Sequence, residues 1–231
     1  MSAGASAAAQ RQQYTVTGLD CYRIGRHQAP ETVTYTGTQT LAISHAGSST
    51  HFFATVRYVA TGGSGSAPSQ ASFAQDLLPN GELADRADLD PDYLTILNQP
   101  FAVELGAQTL REILRLRGRA PFAFPAPLAG GTLHGYLERG PIGRIGSQLV
   151  VAVKFDATGP MAGPLPNRVG IAMSGAMHMR GTAYYDIHGT LLLALNERMT
   201  IAGTFEDRAV TTPVKIVYAR RIHAQNATTR R

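Results

Sequence analysis

The chain has 231 residues, 44% of them hydrophobic, which suffices for one large β domain or two small ones with a sizeable core. Its apolar runs are too short for a membrane-spanning helix, and a single cysteine, Cys21, excludes an internal disulfide. The net charge is +5 and almost entirely Arg, Lys occurring only at Lys154 and Lys215; because these cations alternate with acids and apolar groups and form no stripe, no specific nucleic-acid partner is implied.

In chain order, Met1 to Gln10 is a run of small residues with an Ala-Ser-Ala step. It resembles the cleavage end of a secretory signal without the basic and apolar regions that precede one, so residues 1–13 read as a signal remnant or a disordered tail, and a periplasmic or secreted protein is expected. Tyr14 to Ile24 and Glu31 to Ile43 are rich in Thr, Val and Tyr and read as strands separated by a turn at Arg26 to Pro30. His51 to Ala60 alternates Phe52, Ala54, Val56 and Tyr58 against His51, Thr55 and Arg57, a third strand of a meander. Thr61 to Ser69 (TGGSGSAPS) has the composition of a mobile loop, and Gln70 to Leu78 reads as the next strand.

Two short helices follow. Asp90 is placed to cap the first, Pro91 to Asn98, which Pro100 stops. The second, Gln108 to Arg117, sets Leu110, Ile113 and Leu114 on one face and Arg111 and Arg115 on another, with Gly118 ending it. Ala120 to Gly131, carrying Pro121, Pro125 and Pro127, reads as an extended connection. Thr132 to Glu138, Gln148 to Thr158 and Pro213 to His223 alternate as strands, and Gly159 to Asn167 (GPMAGPLPN) reads as a Pro/Gly loop. The strongest signal lies between them. From Ile171 to Phe205 alternate positions are apolar or small (Met173, Met177, Met179, Ala183, Tyr185, then Leu193, Leu195, Met199, Ile201 and Phe205), the period of an antiparallel hairpin with one buried face, turning at His188-Gly189. Residues 14–223 therefore form one mainly β domain, a strongly curved antiparallel sheet or barrel with two short helices inserted in the middle, or alternatively a β-sandwich, and residues 224–231 are a basic tail.

No motif carries chemistry strongly. Asp88, Asp90 and Asp92 occupy the first alternate positions of a calcium loop, but Tyr93 stands where that loop needs Gly and Gln99 where it needs Glu, so no metal site is expected. The seven histidines lack metal-ligand spacing, and nucleophile elbows and phosphate loops are absent, so no cofactor or catalytic residue is assigned. The methionines suggest a ligand surface: flexible, polarizable side chains suit an apolar guest, and Met173, Met177, Met179, Tyr185, Leu193, Met199 and Phe205 are the candidate binding residues.

The run Met-Arg-Gly-Thr-Ala-Tyr-Tyr-Asp, a turn with Gly, and the return Leu-Leu-Leu-Ala-Leu, from Met179 to Leu195, resembles a hairpin of exported bacterial half-barrels of the lipoprotein-carrier type. The resemblance is confined to this hairpin and lacks the family's N-terminal amphipathic helix. It implies a curved sheet wrapped around helices with a cavity for an acyl chain. The expectation is thus a non-catalytic exported protein binding a lipid or other apolar ligand between sheet and helices. The alternatives are a structural protein self-associating into a homo-oligomer through edge strands, and a barrel enzyme relying on Glu197, the polar residue that breaks the inward face of the leucine strand.

Overall fold

The computed structural model describes residues 10–46, 49–62, 65–77, 105, 107–126, 128–165, 169–208 and 210–225. Ten strands form a single antiparallel sheet: β1 (Gln10–Ile24), β2 (Glu31–Ala46), β3 (Ser49–Gly62), β4 (Gly65–Leu77), β5 (Arg119–Pro125), β6 (Thr132–Ile145), β7 (Gln148–Pro164), β8 (Ile171–Asp186), β9 (Leu192–Asp207) and β10 (Val210–Ala224). Their order is β4-β3-β2-β1-β10-β9-β8-β7-β6-β5, so the sheet is neither closed into a barrel nor split into a sandwich. The chain starts at the sheet's centre, meanders to one edge, crosses to the other and returns to pair β10 with β1. That central seam joins residues some 200 positions apart, for example Asp20 with Tyr218.

Several boundaries differ from the sequence reading, each for a local reason. Gly62 pairs with Gly65 in a tight β3–β4 hairpin, so most of the TGGSGSAPS stretch is strand where a loop is expected. β5 occupies Arg119–Pro125, expected as a connection; its Pro121 and Pro125 lie in an edge strand, where a missing N–H need not break a ladder. β7 continues through Gly159-Pro160-Met161-Ala162-Gly163-Pro164 because its pairing with β6 stops at His134–Thr158; beyond it, the Gly130 carbonyl accepts from the Ala162 amide at 2.7 Å. β1 starts at Gln10, inside the stretch read as a tail. The first expected helix and the acidic cluster at Asp88, Asp90 and Asp92 fall outside the described residues.

Among the described residues there is one helix, α1 (Ala107–Arg115). It buries Leu110 and Ile113 in the core, Gly118 follows it with a positive φ of 84°, and Arg139 on β6 donates to the Leu114 carbonyl at 2.8 Å, tying its last turn to the sheet. No helix among the described residues is long and apolar enough to cross a membrane.

The organising hairpin has the expected faces. Met173, Met177, Met179, Ala183, Tyr185, Leu195, Met199 and Ile201 are at most 1% exposed and join one apolar cluster with residues of β1, β2, β3, β7, β10 and α1. At the turn, Asp186 accepts from the His188 amide, and the positive φ falls on Thr190 (62°), not on Gly189. Along the inward face Gly175 and Gly203 oppose one another; a Cβ on either would fall 2.4 and 2.0 Å from a carbonyl of the neighbouring strand, so the backbones approach there in a way only glycine permits.

Candidate functional site

Two layers meet at the middle of the strands. On the inward face, the register aligns Tyr35, Gly18, Arg220, Glu197, Gly181 and Phe155 in one row across β2, β1, β10, β9, β8 and β7. The glycines leave gaps that rings fill: a Cβ on Gly18 would meet Tyr35 Cζ at 2.1 Å, and one on Gly181 would meet Phe155 Cζ at 2.6 Å. Between them sits a buried charge layer. Arg220, 1% exposed, donates through Nη1 to Asp20 Oδ1 at 2.5 Å and to the Ala219 carbonyl at 3.0 Å, while its guanidinium carbon lies 4.5 Å from the Tyr35 ring centre and 5.1 Å from that of Tyr218. Burial pulls its pKa down to about 10, against the opposing pull of the Asp20 carboxylate, so the group is a cation at neutral pH. Glu197, in register with Arg220, is also buried.

On the opposite face, at the same level, a groove of about 1170 Å³ crosses eight adjacent strands from β2 to β5. At about 4.8 Å per strand its length is about 34 Å. Four neighbouring strands each contribute one outward cation: Arg221 on β10, Arg198 on β9, Arg180 on β8 and Lys154 on β7. The outward lining holds five cations, Arg119 joining these four, against the two carboxylates Glu138 and Asp156, a net positive surface. Arg180 and Arg198 stand directly opposite one another in the β8–β9 ladder, an arrangement that costs stability. Among the described residues no side chain of Lys154, Arg180, Arg198 or Arg221 forms a hydrogen bond or ion pair; Asp156 stands in register with Arg180 and Glu138 with Lys154, yet the two acids are engaged elsewhere, Asp156 Oδ1 with His178 Nε2 at 2.8 Å and Glu138 Oε2 with Arg119 Nε at 3.4 Å. Thr17, Thr182 and Asn196 add neutral hydrogen-bonding groups beside the cations, and Tyr136, 55% exposed, stands near the β5 end. The lining includes no Ser, Cys or His to act as nucleophile or neutral-pH base, and among the described residues no cluster of three or more His, Cys, Asp or Glu comes together. The outward guanidinium groups are suited to recognising anions.

The residues singled out from the sequence lie elsewhere. Met173, Met177, Met179, Tyr185 and Met199 are packed inside the core, and Phe205 is half-buried against it. Leu193 departs from the expected pattern: the register slips between the Tyr184–Ala194 and Tyr185–Leu192 pairs, and this extra residue, though buried, falls outside the core cluster while Leu192 takes the inward place. None of the seven lines the groove. Sequence reasoning passed over Arg220, which shares the inward parity of Val214, Ile216 and Ile222, and read the cations as interspersed with acids and apolar groups without forming a stripe. Compared with known proteins, the chain matches no family model, no curated protein and no solved structure.

Proposed function

We propose that this chain is a non-catalytic binding protein that holds an anionic ligand in the groove across its outward face. The observation that carries the reading is Arg180 placed opposite Arg198, with Arg221 and Lys154 on the flanking strands; among the described residues none of the four makes an ion pair, the in-register acids Asp156 and Glu138 being engaged by His178 and Arg119. Like charges directly opposed in a ladder are unfavourable without a counterion, and a bound anion is the partner that turns the cost into affinity. Calorimetric titration with inorganic polyphosphate tests this at low salt. Saturable binding is expected, at least tenfold weaker in the Arg180→Gln/Arg198→Gln variant; equal affinity in variant and wild type would refute it.

A second reading, an apolar or acyl ligand between sheet and helix as the lipoprotein-carrier resemblance implies, draws support from the methionine-rich inward layer and from α1, whose Leu110 and Ile113 belong to the same core cluster. In the structure as it stands those methionines contact one another and their neighbours at 0–1% exposure, so a guest needs the layer to open. Mass spectrometry of an organic extract of the purified protein detects such a guest; an extract free of lipid counts against it.

A further inference from the structure

We infer that the ligand of the groove is a linear acidic polysaccharide, a chain of uronate-type sugars lying across the strands; this deepens, and rests on, the anion-binding reading above. Three features of the groove select this class among polyanions.

The first is spacing. The cations on β10, β9, β8 and β7 recur once per strand, about 4.8 Å apart in the hydrogen-bonding direction but in two rows, Arg180 and Arg198 in one and Lys154 and Arg221 two residues along in the next; a pyranose in an extended chain advances by roughly one strand spacing, so the carboxylates of successive sugars pass within reach of these long side chains. A duplex nucleic acid, with a charge every ~1.7 Å of axis, is far denser than this array. The second is the company the cations keep. Thr182 and Asn196 are in-register neighbours on β8 and β9, flanked by Lys154 on β7 and Arg221 on β10, so this row sets two neutral donors and acceptors between two cations. Sugar hydroxyls need such groups; a phosphate polymer does not. The third is the scarcity of exposed aromatic surface. Single-stranded nucleic acids are gripped by successive aromatic platforms, whereas the lining here has one exposed ring, Tyr136, and a Phe155 that is 3% exposed because it fills the Gly181 gap. One ring at one end suits a terminal sugar face.

The test compares four probes on the full chain at one salt concentration: oligogalacturonate matched to the groove length, its methyl ester, an oligothymidylate of the same length, and vesicles of anionic phospholipid. The expected order places oligogalacturonate first, with the neutral ester and the oligothymidylate each at least tenfold weaker and no vesicle binding. Asn196→Ala, at an exposed position, is expected to weaken oligogalacturonate several-fold more than inorganic polyphosphate, since it removes a hydroxyl partner and no charge. If polyphosphate binds but oligogalacturonate is no better than oligothymidylate or vesicles, or if Asn196→Ala weakens both anions alike, the sugar assignment falls and the anion groove stands. If no anion binds, both fall.

Discussion

Replacing Ile201 by Asp and, separately, Thr200 by Asp tests the face assignment on which the groove depends. Ile201 is fully buried and pairs in register with Met177 on β8 and Ile216 on β10, both buried themselves. The substitution forfeits about 1.5–3 kcal/mol of apolar transfer and inserts a carboxyl without a partner, at a further cost of about 1–3 kcal/mol, so a loss of at least about 3 kcal/mol is expected. That is a large share of the about 5–15 kcal/mol that holds a domain folded. Thr200, half-buried on the outward face opposite His178, is expected to cost about 1 kcal/mol or less. The chain has no Trp, so urea denaturation is best followed by far-UV circular dichroism. The Ile201→Asp loss should shrink at acidic pH: the buried carboxyl has a raised pKa, and the ionisation penalty vanishes once the unfolded chain is protonated too. Equal losses for the two variants would mean both faces are covered at this level, and a larger loss for Thr200→Asp would invert the sheet and remove the groove.

Asp20→Asn removes the carboxylate that accepts from Arg220 Nη1 and is expected to cost about 1.5–3 kcal/mol, measured by the same denaturation, with an effect below about 1 kcal/mol counting against a buried charge layer. At alkaline pH, burial raises the phenols of Tyr14 and Tyr185 well above their ordinary value, so the folded chain keeps two protons that the unfolded chain releases near pH 10, and stability falls as pH rises. Arg220, lowered to about 10, acts with the opposite sign, leaving a net loss of about 1.4 kcal/mol per pH unit between about pH 10 and 12; Tyr185→Phe should flatten that slope, and an unchanged slope would refute the assignment.

Much of the fold was legible because one-sided burial writes period two into a strand. The β8–β9 hairpin is the clearest case: both strands bury odd-numbered residues, and a turn near Gly189 then restricts the register to pairings that join odd with odd, which brings Arg180 to Arg198 or to a near neighbour of it. Proline and glycine misled where their position in the sheet mattered more than their composition. Pro121 is tolerated because β5 is an edge, and Pro160 because the β6–β7 pairing stops at His134–Thr158, facts fixed by topology and invisible locally. The groove was the least legible part. Its cations at 119, 154, 180, 198 and 221 are dispersed along the sequence and become neighbours only through pairings such as Arg221 with Thr17 on β1. Arg220 was missed for a related reason: its partner Asp20 is 200 residues away.

The central claim is that Arg180 and Arg198 are opposed for the sake of a bound anion, and a paired measurement of stability and affinity on Arg198→Gln tests it most directly. Relieving like-charge repulsion at an exposed position is expected to stabilise the free protein by about 0.2–1 kcal/mol while weakening oligogalacturonate and polyphosphate binding about tenfold, the opposing changes expected where stability has been traded for function. Unchanged affinity for both anions, whatever happens to stability, would contradict the account.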